Sequence, residues 1–277
     1  MYILYFYKSS RGISLSSLAA KTFNRMILNR IRPILDDQLR TNQNGFRVGR
    51  TTVGHILALR RIIEGVKANN LPAILTFIDF KKAFDTIHRG KMLKILRAYG
   101  IPDQIVRAVS IMYEDTKAKV ISPDGETDTF DIVAGVLQGD ILAPNLFVVV
   151  LDYALRKAIS GREEELGFQL VRRQSRRIGP VVLTDLDFAD DIALLSEEIH
   201  QAQELLHQVE TAVAKVGLKM NANKTKFMAF NHNQDLTITT AQGWMKSRIS
   251  NTWVLGWKVL RKTLRFARQL PGKHVER

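Results

Sequence analysis

A chain of 277 residues with 45% hydrophobic side chains is long enough to bury a full core, as one large domain or as two or three smaller units. Its 41 Lys and Arg stand against 27 Asp and Glu, and the net charge of +14 favours a polyanionic partner, most commonly nucleic acid, while charge alone leaves a merely soluble basic protein open. The lack of cysteine excludes disulfides and zinc knuckles, and no apolar run is long enough to span a bilayer, so a soluble protein with no membrane partner is expected.

In chain order, Leu15–Leu39 carries apolar residues at helical spacing (Leu18, Phe23, Met26, Ile27, Ile31, Ile34, Leu35), with Pro33 expected to kink or restart the helix. Gln43–Arg50 follows, a cationic loop with two glycines and with Arg47 and Arg50. Free backbone N–H groups and fixed guanidiniums there suit triphosphates or nucleic-acid phosphates, although arginines beside glycine are more often simply solvated. Thr51 or Thr52 caps a helix to about Lys67 with Ile56, Leu59, Ile62 and Ile63 inward. Pro72–Asp79 is a buried-looking strand that delivers Asp79 at its end. Helices are expected over Ile87–Tyr99, ending at Gly100, and from Pro102 to about Glu114.

Lys117–Ser122 and Thr127–Val133 flank the turn Pro123-Asp124-Gly125 and read as a hairpin. In Ala134–Pro144, Gly135 and Gly139 let backbone approach a flat group closely, and Gln138 offers both a donor and an acceptor. Pro144 opens a buried segment to Lys157; Val148–Val150 argues locally for strand, but the length favours helix. Gly161–Arg177, with its acids at Glu163–Glu165 and its Arg172, Arg173, Arg176 and Arg177, reads as an exposed ribbon. Val181–Phe188 and Ile192–Leu195 form a hairpin around Ala189-Asp190-Asp191. Ser196 is expected to cap a helix with Glu197 and Glu198 in its first turn, a stripe from Leu205 to Val216 inward, and Gly217 at its end. A strand then runs to Phe230. Beyond Met245 the chain turns basic, and Lys258, Arg261, Arg265 and Arg268 share one helical face, either tracking a phosphate backbone or forming a solvated helix or tail.

Adjacent carboxylates at Asp190 and Asp191 are costly unless a cation lies beside them. Mg²⁺ suits them, because it takes one or two carboxylates and leaves its other positions to water and substrate phosphates. Asp79 at the end of another strand completes a set of three acids, and such a set on a basic protein points to phosphoryl or nucleotidyl transfer by a two-metal clamp. The plainer alternative makes Asp190-Asp191 a polar turn and Asp79 the cap of the helix that follows.

Four motifs fall in register: Asp79-Phe-Lys-Lys-Ala-Phe84-Asp85, Gly135-Val-Leu-Gln138-Gly139-Asp140-Ile-Leu-Ala-Pro144, Phe188-Ala189-Asp190-Asp191, and Gly217-Leu-Lys-Met-Asn221 with Lys224. Together they resemble the reverse transcriptase domain of non-LTR (LINE-type) retrotransposons, from about Arg11 to Phe230. The resemblance implies an α+β right-hand polymerase fold: fingers, and a palm with an antiparallel sheet packed on helices. It implies fingers over 1–70, palm over 71–100, an insertion with the hairpin over 101–134, palm again over 135–230, and a degenerate primer grip with the basic tail over 231–277. It implies a reverse transcriptase using two Mg²⁺ ions, with Mn²⁺ able to substitute, an RNA template, a DNA primer and dNTPs, in the nucleus or cytoplasm.

Carried over residue by residue, Asp79 and Asp190 would ligate metal, with Asp191 the more weakly bound acid and the Phe80 carbonyl reaching the nucleotide's ion. Phe84 would close against a ribose 2′-OH, Gln138 and Gly139 would line the nucleotide pocket, and Arg47 would grip the triphosphate. Lys224 would be the general acid for pyrophosphate, with a simply solvated lysine as the alternative; by charge and placement rather than by the resemblance, Arg50, Lys258, Arg261 and Arg265 would bind nucleic acid. His88 is expected to be a bystander. Gly12 and Val48 stand where relatives commonly have proline, and Val254-Leu255-Gly256 only faintly echoes the family's primer grip. The thumb is therefore expected to be missing or incomplete, as in a polymerase core cut from a longer polyprotein or in a decayed copy that keeps its catalytic acids. A nucleic-acid-binding relic and an RNA polymerase or intron maturase are the alternatives.

Overall fold

The computed structural model describes residues 2–4, 13–15, 17–119, 121–122, 125–172, 175, 177, 179–232, 236–241 and 243–246. The first elements are β1 (Tyr2–Leu4), β2 (Ile13–Leu15), α1 (Leu18–Gln38), α2 (Thr52–Ala68), β3 (Ala73–Ile78), α3 (Ala83–Thr86), α4 (Arg89–Ala98) and α5 (Asp103–Tyr113). Four short strands follow, β4 (Lys117–Ala118), β5 (Ile121–Ser122), β6 (Gly125–Glu126) and β7 (Phe130–Asp131). Next come α6 (Ala143–Ile159), α7 (Glu163–Leu166), β8 (Phe168–Val171), β9 (Val181–Leu183), β10 (Asp185–Phe188) and β11 (Asp191–Ser196). The rest are α8 (Ile199–Lys215), β12 (Lys226–Phe230), β13 (Thr237–Thr240) and β14 (Gly243–Lys246). Among the described residues no helix is long and apolar enough to cross a membrane.

Two compact units divide the chain. One comprises Arg47–Asp79, Ile159–Gln208 and Asn221–Arg277. Its centre is a four-stranded antiparallel sheet in the order β10-β11-β3-β12. Leu75 of β3 pairs with Leu195 of β11 on one side and Met228 of β12 on the other, so the three side chains share a pleat face. Residues two apart on each strand join them: Ala73, Ala193 and Phe230, with Leu186 of β10. Leu59, Ile62 and Val66 of α2, spaced at 3.6-residue periodicity, close this core. The Asn231 amide donates to Leu71 O at 2.7 Å and Val66 O at 3.2 Å, which ties the end of β12 to the end of α2.

The other unit comprises Met1–Phe46, Phe80–Ala158 and Val209–Met220. The interior turns of α6 are almost wholly buried, Val148–Val150 included, so the length of the segment prevailed over its β-branched residues. The buried Asp152 of α6 accepts from the Arg40 backbone N–H at 3.2 Å, Arg40 Nε at 3.1 Å and the Tyr99 hydroxyl at 2.7 Å. Burial, with that carboxylate beside it, pushes the Tyr99 phenol far above its ordinary range and keeps it a donor.

Several expectations need correction. The helix α1 runs unbroken through Pro33, whose exposed ring costs one main-chain hydrogen bond while the buried Ile31 and Leu35 keep the helix packed. Leu18, Phe23 and Met26 are exposed; the buried stripe is Asn24, Ile27, Leu28, Ile31 and Leu35. Gly161–Arg177 is more than a ribbon: it contains α7 and β8, and β8 pairs with β9 and buries Phe168 in the core. Thr184 separates β9 from β10, so Val181–Phe188 is not one strand. Ser196 is the last residue of β11, paired with Ile74, rather than a helix cap. The Gln201 side chain caps instead, accepting from the N–H groups of Glu197 at 3.2 Å and Glu198 at 2.9 Å. His88, expected to be a bystander to the chemistry, has a structural place that is compatible with that: its side chain caps α4 and accepts from Lys91 N–H at 3.3 Å.

Candidate active site

Asp191 opens β11 and Asp79 directly follows β3. The pair Ile192–Ile78 fixes the register, and one step further along both strands sets Asp191 beside Asp79. Phe188 pairs with Asp191, so β10 and β11 are joined by the two-residue turn Ala189-Asp190. Ala189 adopts φ 56°, a conformation that costs a non-glycine residue roughly 1–2 kcal/mol. This tight turn holds the start of β11 at the strand end that faces Asp79.

Asp79 is held from the segment that precedes β12. Its N–H donates to the buried Thr225 hydroxyl at 3.3 Å, and its carbonyl accepts from Asn221 N–H at 2.8 Å. Its Oδ2 accepts from the Asn221 side-chain amide at 3.1 Å and lies 3.8 Å from Lys224 Nζ. It therefore does not cap the helix after it; Lys82, at φ 47°, occupies that position. With Lys224 61% and Asp79 43% exposed, the ion pair adds little stability.

Asp79, Asp191 and Lys224 line one cavity of about 120 Å³, with Thr52 and His55 of α2 and an apolar wall that includes Leu59 and Leu186. Burial, then the nearby Arg50, holds the His55 pKa below its ordinary value, against the opposing pull of Asp185. Asp190 is half-buried in the turn and is not among the lining residues. Among the described residues no three carboxylate or imidazole groups form a ready cage for a metal. Two carboxylates at adjoining strand ends still match Mg²⁺, which needs only one or two protein ligands beside water and phosphate. Sequence reasoning missed His55, Asn221 and Thr225 as site residues; the Asn221-x-x-Lys224-Thr225 spacing was the available signal for the last two.

In the other unit, Phe84 is half-buried and lies against Phe147 of α6. The Val136 N–H donates to Phe84 O at 2.7 Å, so the loop that carries Gln138 and Gly139 is bonded to Phe84 itself. Gly135 has φ 82°, and a Cβ there would lie 2.7 Å from the Asp85 backbone; only glycine allows the approach. Phe80 is buried and bridges to Met220. Arg47 is half-buried and Arg50 exposed, just ahead of α2, and neither lines the cavity. Lys258, Arg261 and Arg265 lie outside the described residues, as do Pro123 and Asp124 of the expected hairpin turn.

An antiparallel sheet with acids at adjoining strand ends, in a mixed α+β chain, matches the palm of a nucleic-acid polymerase. The profile of the reverse transcriptase (RNA-dependent DNA polymerase) family matches residues 7–260, and the chain belongs to that family. It is 28% identical over 221 residues to the Pol polyprotein of the type-1 retrotransposable element R2 of Nasonia vitripennis, covering 79% of this chain and 20% of that protein. It is 27% identical over 227 residues to a 115 kDa protein of the retrotransposable element R1DM of Drosophila melanogaster, covering 79% and 20%. These relatives put it among non-LTR reverse transcriptase domains, and the chain spans about a fifth of their length. Its fold is similar to telomerase from Candida tropicalis, solved with a fragment of telomeric RNA, at a TM-score of 0.53 and 13% identity over 81% of this chain and 35% of that one.

Proposed function

We propose that this chain is an RNA-directed DNA polymerase that extends a DNA primer with dNTPs on an RNA template. The observation that carries this reading is the cross-strand register of Asp79 and Asp191, which open together with Lys224 on one cavity. Asp79, Asp190 and Asp191, with the Phe80 carbonyl, would hold Mg²⁺ or Mn²⁺. Such ions, when bound, stabilise the attacking and leaving oxygens of an in-line displacement.

The chain's own residues position and neutralise. Asn221 and Thr225 fix Asp79 through three hydrogen bonds, so its carboxylate need not reorganise as substrate arrives. Lys224 has an exposed ammonium near Asp79 and serves to protonate departing pyrophosphate. Phe84 excludes a ribose 2′-OH, Gln138 and Gly139 hold the incoming nucleotide, and Arg47 neutralises its triphosphate. Arg50, Lys258, Arg261 and Arg265 bind template and primer phosphates.

Primer extension on poly(rA)/oligo(dT) with Mg²⁺ or Mn²⁺, comparing wild type with Asp79→Asn and Asp190→Asn, tests this reading. Product that vanishes in the variants supports it. No product from wild type, with salt-sensitive template binding intact, replaces it with a nucleic-acid-binding relic. Equal use of rNTPs and dNTPs would move the chain to the RNA polymerases.

A further inference from the structure

Arg89, the first residue of α4, has no role in the chemistry proposed above, yet its half-buried guanidinium gathers two stretches of chain, Tyr113–Thr116 and Ile132–Gly135. Nε donates to Gly135 O at 3.0 Å. Nη1 donates to Tyr113 O at 2.9 Å, to Ile132 O at 2.6 Å and, more weakly, to the Thr116 hydroxyl at 3.3 Å. The guanidinium carbon also lies 5.1 Å from the centre of the Tyr113 ring. The end of α5, the residue after β7 and the start of the Gly135–Gly139 loop thus converge on one side chain. Its charge makes each bond stronger than a neutral one, and its planar fork fixes direction as well as distance.

The Gly135–Gly139 loop needs such a restraint. Residues 132–142 belong to no helix or strand, so no ladder holds them. Backbone bonds anchor the start of the loop to the Phe84–Arg89 segment: Gly135 N–H to Ile87 O at 2.8 Å and Val136 N–H to Phe84 O at 2.7 Å. Arg89 takes the remaining backbone group, the Gly135 carbonyl, and ties it to the end of α5 and to Ile132 at the start of the same stretch. Without it, Gly135 would keep one bond to the Phe84–Arg89 segment and lose its tie through the guanidinium to Tyr113, while the Ile132 N–H would still donate to Thr116 O at 2.8 Å.

We infer that Arg89 is a positioning residue: it fixes the Gly135–Gly139 loop against the Phe84 segment and so sets the affinity for the incoming nucleotide. The nucleotide half of this inference rests on the proposed function of Gln138, Gly139 and Phe84; the loop half does not. Loop placement would serve the ground state and the transition state alike, so its loss raises KM and leaves kcat in place.

Two readouts on the full chain separate the halves. Backbone hydrogen exchange is compared between wild type and Arg89→Met, with Arg89→Lys as the conservative variant. Amides of residues 134–140 should exchange faster in Arg89→Met, less so in Arg89→Lys, while β3 and β11 keep their protection. Unchanged exchange at 134–140 overturns the inference, and so does a loss of protection spread evenly over the chain, which would make Arg89 a general fold residue.

The second readout is steady-state primer extension. Arg89→Met should raise the dNTP KM by about tenfold with kcat within about twofold, and Arg89→Lys should recover part of the loss. A fall in kcat at unchanged KM overturns the nucleotide half. An inactive wild type overturns the proposed function and the nucleotide half with it, while exchange still decides whether Arg89 holds the loop.

Discussion

The ring of Phe84 lies nearly flat on the ring of Phe147, with centroids 4.6 Å apart and planes 13° from parallel. Phe147 is wholly buried in α6 and Phe84 only half-buried, so one face of the outer ring rests on a fixed platform. Removing the platform has two separable effects. Phe147→Ala should cost about 3–5 kcal/mol of stability, read by denaturant unfolding, because the buried ring leaves a cavity. Phe84→Ala should cost less and should instead raise rNTP incorporation relative to dNTP. If both variants lose stability equally and neither changes sugar selection, Phe84 is a core residue and nothing more.

Asp79 and Asp191 predict the opposite pattern, function without stability. Asp79 is 43% exposed and its ion pair with Lys224 is long, so Asp79→Asn should leave the thermal midpoint within a few degrees of wild type. Polymerase activity should fall by about 100-fold or more in Asp79→Asn and in Asp191→Asn, since each removes a carboxylate that would hold the cation neutralising the transferring group. Activity that survives both substitutions would remove these residues from the reaction.

Gly217 is a test of close backbone approach. It has φ 97°, and a Cβ there would lie 2.4 Å from Thr86 O and 2.9 Å from His88 N, both main-chain atoms that cannot swing aside. Gly217→Ala should therefore cost more than the roughly 1–3 kcal/mol of backbone strain alone. Gly49 supplies the control: its φ is 73°, but no atom of the described residues lies within 4 Å of its Cβ position, so Gly49→Ala should cost only the strain. Equal losses in urea unfolding would mean that the Thr86 contact contributes nothing.

The two strand-end acids were legible in the sequence because each ends or begins an apolar run, and a hairpin around Ala189-Asp190-Asp191 can close in few ways. The stripe of α8 was legible from its 3.6-residue period, and all of Leu205, Leu206, Val209, Ala212, Val213 and Val216 are buried. What was not legible depends on partners distant in sequence. Ser196 looks like a cap only until β3 pairs with it, and Phe168 looks solvent-facing only until β9 makes its strand. His55 lines the cavity from α2, and Arg89 gathers Tyr113, Ile132 and Gly135 in the other unit; neither residue has a local pattern that announces its role.

Asp140 gives the pH dependence. It follows Gly139, and its Oδ1 accepts from Leu142 N–H at 2.9 Å just ahead of α6. Its Oδ2 accepts from the amide of the buried Asn24, whose own Oδ1 has no hydrogen-bond partner among the described residues. Burial raises the Asp140 pKa above the ordinary value near 3.8, against the lowering effect of those two hydrogen bonds. A carboxyl whose pKa is raised by folding binds its proton more tightly in the folded state. Its contribution to stability is then fully present below about 3.8 and is lost as the pH rises through the folded value. At neutral pH the buried carboxylate is therefore a cost. Asp140→Asn removes that cost and keeps an oxygen for Leu142 N–H, and the Asn24 amide can turn so that its Oδ1 accepts from the new side chain. The variant should unfold at a higher temperature than wild type at neutral pH, and the gap should close as the pH is lowered toward 4. A gap that stays constant with pH would mean that Asp140 carries no titration linked to folding.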